Sequence, residues 1–220
     1  MTRRSYDQYC AVAKALDLIG ERWTLLVLRD LVHLGPRRFS DLRDGLPGIG
    51  ANLLTQRLRR LEREGLIQRR RLSSPAGGVV YELTELGAAL EPTIIELGRW
   101  GGRFMGERRA HEVFFPSGHI SAIRATFRGE NARGVRRSYE FRIEDERFHV
   151  EIDDGAVSAA IGEAESPDLV IETDVATSID LMLRRVAPAD ALRFGSVTIE
   201  GSAVEFRRCV DLLAWVPGSA

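Results

Sequence analysis

Cysteine is scarce. Cys10 and Cys209 stand far apart in 220 residues, with no C-x-x-C spacing, which argues against a disulfide framework or a zinc site. Lysine is scarcer still: Lys14 is the sole lysine among 31 basic residues. No apolar run approaches the roughly 18 residues needed to cross a bilayer. Met1 to Cys10 is polar and lacks the apolar core of a secretory signal. A cytoplasmic protein with no membrane partner is the expectation. Hydrophobic residues make up 44% and charged residues 29%, within the range of globular chains. A chain this long can bury a core without covalent staples.

What is present is unevenly charged. Residues 1–110 hold 19 basic and 13 acidic residues, a net of +6; residues 111–220 hold 12 and 19, a net of −7. The two halves together give the overall −1. Such opposition predicts two domains, 1–110 and 111–220, with the basic one facing a polyanion. Residues 37–71 carry ten arginines against four acids. The planar guanidinium suits phosphates and base edges. Codon bias accounts equally for the choice of arginine over lysine, so weight falls on where the arginines sit.

Periodicity places helices over 11–19, where Val12, Leu16 and Ile19 share a face, and over 22–33. Gly20 and the Gly35-Pro36 pair close them. A short helix over DLRDGL follows with Ser40 as its N-cap. After the turn Pro47-Gly48-Ile49-Gly50 comes a strong helix, 51–64, with Leu54, Leu58 and Leu61 on one face and Gly65 as C-cap. The period then becomes two: strands over 66–72 and 79–84, joined by Ser73 to Gly78. A long helix over roughly 85–106 contains Pro92, which kinks it or marks a second start. This order is a winged helix-turn-helix, mainly α. Past residue 110, strands are expected at 111–115, 137–143, 147–152, 156–161, 169–172 and 197–200, with a hairpin turn at Asp153-Asp154-Gly155. Helices are expected at 117–128, 175–185, 188–193 and 202–214. That makes an α+β domain with one sheet face covered.

The helix at 51–64 is the main functional candidate. With its leucines turned inward, Asn52, Thr55, Gln56, Arg59, Arg60 and Arg63 remain outward. Asn and Gln pair bidentately with adenine, and Arg with guanine. Arg38, Ser40 and the amides at helix starts suit phosphates. Arg69, Arg70 and Arg71 lie on the strand leading to the wing tip and predict backbone contact. The alternatives are a solvated helix with i,i+4 pairs such as Arg60–Glu64 and a charged strand edge that deters aggregation. The combination of turn, helix and ribbon favours double-stranded DNA.

Residues 9 to about 105 resemble the HxlR-type transcriptional regulators, a branch of the MarR-like winged-helix proteins. The matching segments are Cys10 to Leu16, Ile19-Gly20-Glu21-Arg22-Trp23, Arg38-Phe39-Ser40-Asp41-Leu42, Leu53-Leu54-Thr55-Gln56-Arg57-Leu58, Leu61-Glu62, Gly65-Leu66-Ile67 and Tyr81-Glu82-Leu83-Thr84. The resemblance implies a homodimer, built from the first helix and the helix after the wing, that reads two half-sites; a repressor is the expected role, with activation left open. The chain departs from it at Ala76-Gly77-Gly78, where that family usually carries proline then arginine. Cys10 matches a cysteine that senses oxidants in some members; a buried thiol at a dimer contact is the alternative.

Residues 118–214 resemble the sterol-carrier-protein type of lipid-binding domain, through Pro167-Asp168-Leu169-Val170-Ile171 and the stretch Phe194 to Gly201. This implies an apolar small-molecule effector held without catalysis or cofactor. Ile179, Met182, Leu183, Leu192, Phe194, Val204, Phe206 and Leu213 are the candidate wall residues; core filling and a purely dimerising domain are the alternatives. The departure is Arg184-Arg185, where that family has a glycine. His149, Glu151 and Asp153 alternate on one strand, but no metal site is expected of them. No G-x-S-x-G, H-E-x-x-H or P-loop occurs, so no enzyme is expected.

Overall fold

The computed structural model describes residues 5–73, 77–104, 109, 112–113 and 116–214. Two compact units emerge, residues 1–94 and 95–220. The division falls earlier than the 110/111 boundary expected from composition.

The first unit contains α1 (Ala11–Ile19), α2 (Thr24–Leu34), α3 (Phe39–Asp44), α4 (Ala51–Arg63), β1 (Ile67–Arg71), β2 (Val79–Leu83) and α5 (Glu85–Ala88), and the start of α6 (Glu91–Gly102). Val27, Leu28 and Leu31 of α2 meet Leu54, Leu58 and Leu61 of α4 in one core, closed by Leu42, Leu46 and Ile67. α1 turns out differently from its apolar periodicity. Ala13 and Ile19 are buried, but Val12 is 67% exposed and Leu16 is exposed too. Pro92 is the second residue of α6, so it starts a new helix rather than kinking a long one.

Helix α4 ends in a Schellman motif. Gly65 takes φ +73, Leu66 N–H reaches Leu61 O at 2.9 Å, and Gly65 N–H reaches Glu62 O at 3.1 Å. The chain then reverses into β1, which pairs antiparallel with β2 from Ile67↔Leu83 to Arg71↔Val79. Arg37 adds a bridge on the other side of β2, exchanging backbone hydrogen bonds with Tyr81 at 2.9 and 2.7 Å. Ser40 is a correction: α3 begins at Phe39, and Arg38 is its N-cap, with its N–H bonded to the Asp41 carboxylate at 3.0 Å. Asp41 sits where a reciprocal cap is formed, which pulls the helix start forward.

The second unit holds α7 (Pro116–Thr126), β3 (Arg136–Ile143), β4 (Glu146–Asp153), β5 (Ala156–Ile161), β6 (Leu169–Thr173), α8 (Val175–Met182), α9 (Pro188–Arg193), β7 (Val197–Glu200) and α10 (Ala203–Leu213). The sheet order is β5-β4-β3-β6-β7, antiparallel except for β3 beside β6. Asp154 and Gly155 both take positive φ, +46 and +87, the turn that fits a two-residue hairpin. Phe148, Val150 and Ile152 alternate inward along β4. The strand expected at 111–115 lies mostly outside the described residues; Glu112 and Val113, which are described, belong to none. Among the described residues no helix is long and apolar enough to cross a membrane.

Gly87 illustrates how tightly the wing is seated. A Cβ there would fall 1.9 Å from Leu66 O, backbone against backbone. Gly87→Ala is expected to cost about 1–3 kcal/mol. Gly101→Ala, where nothing lies within 4 Å, should gain up to about 1 kcal/mol from helix propensity. Thermal unfolding of the two variants checks this; equal effects would contradict it.

Candidate functional site

In the first unit the candidate site is the outer side of α4. Leu54, Leu58 and Leu61 are buried. Asn52, Gln56, Arg59 and Arg63 are exposed, at spacings of four, three and four residues, which is one continuous helical stripe. Thr55 is half-buried, and its Oγ1 donates to Ala51 O at 2.8 Å, within the helix itself. Arg60 departs from expectation. It folds back so that its guanidinium donates to the Asp17 carbonyl, with Nη1 3.7 Å from the Glu21 carboxylate. Its side chain is only 20% exposed. Arg57, not singled out from the sequence, joins it: its Nη2 lies 3.0 Å from Glu21 Oε2. These two arginines fasten α4 to the α1–α2 corner. Their spacing of three, on the flank between leucines and stripe, is the sequence signal for that role.

Around the stripe lie further cations. The Arg38 guanidinium donates to Gly77 O at 2.9 Å, linking the start of α3 to the ribbon. Ser40 is exposed and donates to Asp41 Oδ1 at 3.1 Å. Along β1, Arg69 pairs with Glu62 at 2.8 Å and Arg70 with Glu82 at 2.7 Å. Arg69 and Arg71 share one ribbon face and Arg70 takes the other. All three are exposed, and exposed ion pairs hold too little free energy to prevent exchange of a carboxylate for a phosphate. Residues 74–76 of the wing tip lie outside the described residues.

Cys10 is exposed and caps α1. Hydrogen bonds from the backbone amides of Ala13 and Val12 lower its thiol below the ordinary range.

The second unit contains a small apolar cavity of about 50 Å³ that opens to solvent. Its walls come from α7 (His119, Ile123), β3 (Phe141, Ile143), β4 (Phe148), β6 (Ile171, Thr173), α8 (Ser178, Leu181, Met182), α10 (Phe206, Cys209, Val210, Leu213) and Ala214 just after it. Phe141 and Phe148 stack at 4.8 Å, with His119 against Phe148 at 5.4 Å. Of the expected wall residues, Met182, Phe206 and Leu213 line it. Ile179 and Leu183 are buried elsewhere, and Leu192 is half-buried away from it. Phe194 and Val204 are corrections, 73% and 77% exposed. Phe194 follows α9 with the Arg193 guanidinium 4.7 Å over its ring, and Val204 lies in the first turn of α10, on its outer side. The aromatic and aliphatic wall from β3, β4 and β6 was missed, because a half-buried strand shows the same alternation whether its face meets a core or a cavity. Arg184 takes φ +55, so the arginine adopts the left-handed conformation that favours glycine.

The alternating trio on β4 is dispersed among local partners. His149 Nδ1 lies 3.2 Å from Gly162 O, and Asp153 pairs with Arg136 at 2.8 Å. Among the described residues no group of three or more His, Cys, Asp or Glu could hold a metal.

Comparison with known proteins settles the kinship. Residues 18–109 match the HxlR-like helix-turn-helix model, and residues 124–213 match the SCP-2 sterol transfer family model. The uncharacterized HTH-type transcriptional regulator YkvN of Bacillus subtilis is 38% identical over 101 residues, covering 46% of this chain and 85% of YkvN. Its counterpart YdeP, from the same organism, is 39% identical over 95 residues, covering 43% and 73%. The chain belongs to the HxlR-like helix-turn-helix family. It is a transcriptional regulator with a helix-turn-helix DNA-binding domain, joined to a second domain of sterol-carrier type. The reduced form of the B. subtilis regulator YodB matches at 32% identity and a TM-score of 0.39, over 46% of this chain and 100% of that one.

Within the cavity, burial pushes the His119 imidazole from 6.5 down to about 3. In the unfolded chain it takes a proton near pH 6.5 and in the folded chain only near pH 3. Between these values the unfolded state binds the extra proton, so stability falls as pH drops, by up to about 1.4 kcal/mol per pH unit. His119→Gln removes that component. Urea unfolding of both proteins at about pH 7 and about pH 5 should show a smaller acid-induced loss in the variant; equal losses would contradict the assignment.

Proposed function

We propose that this HxlR-like regulator is a repressor that binds operator DNA as a homodimer and is gated by an apolar small molecule held in the cavity of its second unit. The observation that carries the DNA part is the exposed Asn52–Gln56–Arg59–Arg63 stripe on a leucine-backed helix. Side chains of these types on one helical line match the acceptor and donor pattern of major-groove edges. The exposed apolar residues support dimerisation: Tyr9, Val12 and Leu16 at α1, and Leu97 and Trp100 on α6. The effector part rests on the apolar cavity and on the match to the sterol-carrier-type model. A ligand gates DNA binding only if it prefers one of two dimer states.

The test is binding to an operator selected from random DNA. Arg59→Ala should cost about 1–3 kcal/mol on the selected sequence and relax specificity. Arg70→Ala should weaken all sequences alike and reduce the salt slope by about one. Arg60→Ala should lower the unfolding midpoint, since it removes the bond to Asp17. Equal losses on selected and random DNA for Arg59→Ala and Arg70→Ala would refute this division.

A second reading is favoured by the exposed, amide-assisted Cys10: release of DNA on thiol oxidation. Diamide treatment should then reduce operator affinity in the parent chain and leave Cys10→Ser unaffected. An identical response of both rejects the thiol trigger.

A further inference from the structure

The sheet of the second unit ends in two edges of unlike character. β7 is short and finishes on Glu200, whose carboxylate pairs with Arg142 at 3.0 Å; short, charged edges resist further pairing. β5, with the sequence AVSAAI, is longer and carries neither charge nor proline. Ser158, Ala160 and Ile161 are exposed along it, Ile161 by 46%.

The register fixes which backbone groups this edge offers. Asp153 and Ala156 close the two-residue turn, and past the far end of β5 the Gly162 N–H donates to Arg147 O at 3.0 Å. Hydrogen-bonded pairs alternate along an antiparallel ladder. Ala156, Ser158, Ala160 and Gly162 therefore direct their N–H and C=O groups to β4, and Val157, Ala159 and Ile161 direct theirs outward. Among the described residues, none of these three finds a backbone partner beyond the edge.

The edge is complementary to itself. Laid antiparallel about a twofold axis at Ala159, Val157 meets Ile161 of a second copy, Ala159 meets its own equivalent, and every outward N–H reaches an outward C=O. Val157 and Ile161 oppose Ile152 and Phe148 of β4 and share their apolar face. On the other face Ser158 meets Ala160, both small. No charge within the strand confronts its like. The acids that flank it are already paired, Asp153 with Arg136 at 2.8 Å and Glu163 with Arg147 at 3.4 Å. A foreign extended peptide would have to match this pattern, whereas a second copy matches it by symmetry.

We propose that β5 is a docking edge for a second copy of this chain. The two β5 strands pair antiparallel in the register centred on Ala159 and join two five-stranded sheets into one. This contact is separate from the exposed apolar residues of the first unit and does not require the cavity to be a ligand site. One strand pair buries less surface than a free-standing dimer needs, so it forms at high concentration or between copies held together elsewhere.

Amide exchange of the full chain, followed by NMR at high concentration, tests the pairing. Ser158→Lys combined with Ala160→Lys sets lysine opposite lysine on the exposed face. The amides of Val157, Ala159 and Ile161 should exchange at least about tenfold more slowly in the parent than in this variant. Those of His149 and Glu151, bonded between β4 and β5, should stay slow in both and show that the sheet is intact. The occupant is identified by cross-linking. Copies bearing Ser158→Cys, co-expressed with copies bearing Ala160→Cys, all with Cys10→Ser, should form a disulfide-linked dimer under diamide, since those positions face each other with Cα atoms about 4.5 Å apart. Either variant alone sets its thiols on a diagonal of about 7–8 Å and should link far less. Equal exchange of the three amides in parent and lysine variant, fast or slow, overturns the proposal. Slow amides released by the lysines but without the mixed cross-link would give the edge to another extended segment and reject the second copy.

Discussion

The seating of α4 is the constraint on which the regulator depends. Leu54, Leu58 and Leu61 are all but sealed from solvent, locked into a core shared with α2. Because a helix is rigid at 3.6 residues per turn, fixing three leucines fixes every other direction on it. Asn52, Gln56, Arg59 and Arg63 are thereby aimed without contacts of their own. Arg57 and Arg60 add a lateral restraint through Glu21 and the Asp17 carbonyl, so the helix resists rotation about its axis as well as withdrawal from the core.

The arginine-rich character of the first half thus divides into two kinds of work. Some arginines are internal fasteners that satisfy buried or half-buried oxygens. Others stand at the surface, with partners they can exchange. Composition cannot distinguish them, since a guanidinium serves both purposes. Arg59 and Arg60 are neighbours in sequence, yet one faces solvent and the other ties α4 to α1.

Much of the fold was legible because its signals are short-range. The leucine period, Gly65 after α4, Pro92 at the start of α6 and Asp154-Gly155 between β4 and β5 each encode a local conformation, and each appears close to where it was expected. What escaped was tertiary. Val12 and Leu16 share the apolar period of Ile19 but remain exposed, because periodicity reports that a face is apolar and not what covers it. Ser40 is a favoured cap residue, but the Arg38–Asp41 pair takes the cap two residues earlier. The expected wall of Ile179, Met182, Leu183, Leu192, Phe194, Val204, Phe206 and Leu213 met the cavity at Met182, Phe206 and Leu213, but its β-strand side, from Phe141, Phe148 and Ile171, was not foreseen. Those strand residues had no mark in sequence to separate them from ordinary core.

The bond from the Arg38 guanidinium to Gly77 O, together with the Arg37–Tyr81 bridge, has a mechanical meaning. The ribbon is not a loose flap hinged at Gly65 and Thr84. It is strapped at its middle, Tyr81, and at its outer end, Gly77, to the segment that opens α3. The ribbon and the start of α3 are therefore held at a set spacing. On the proposed duplex, helix and ribbon would arrive as one preset caliper rather than as two parts that adjust separately.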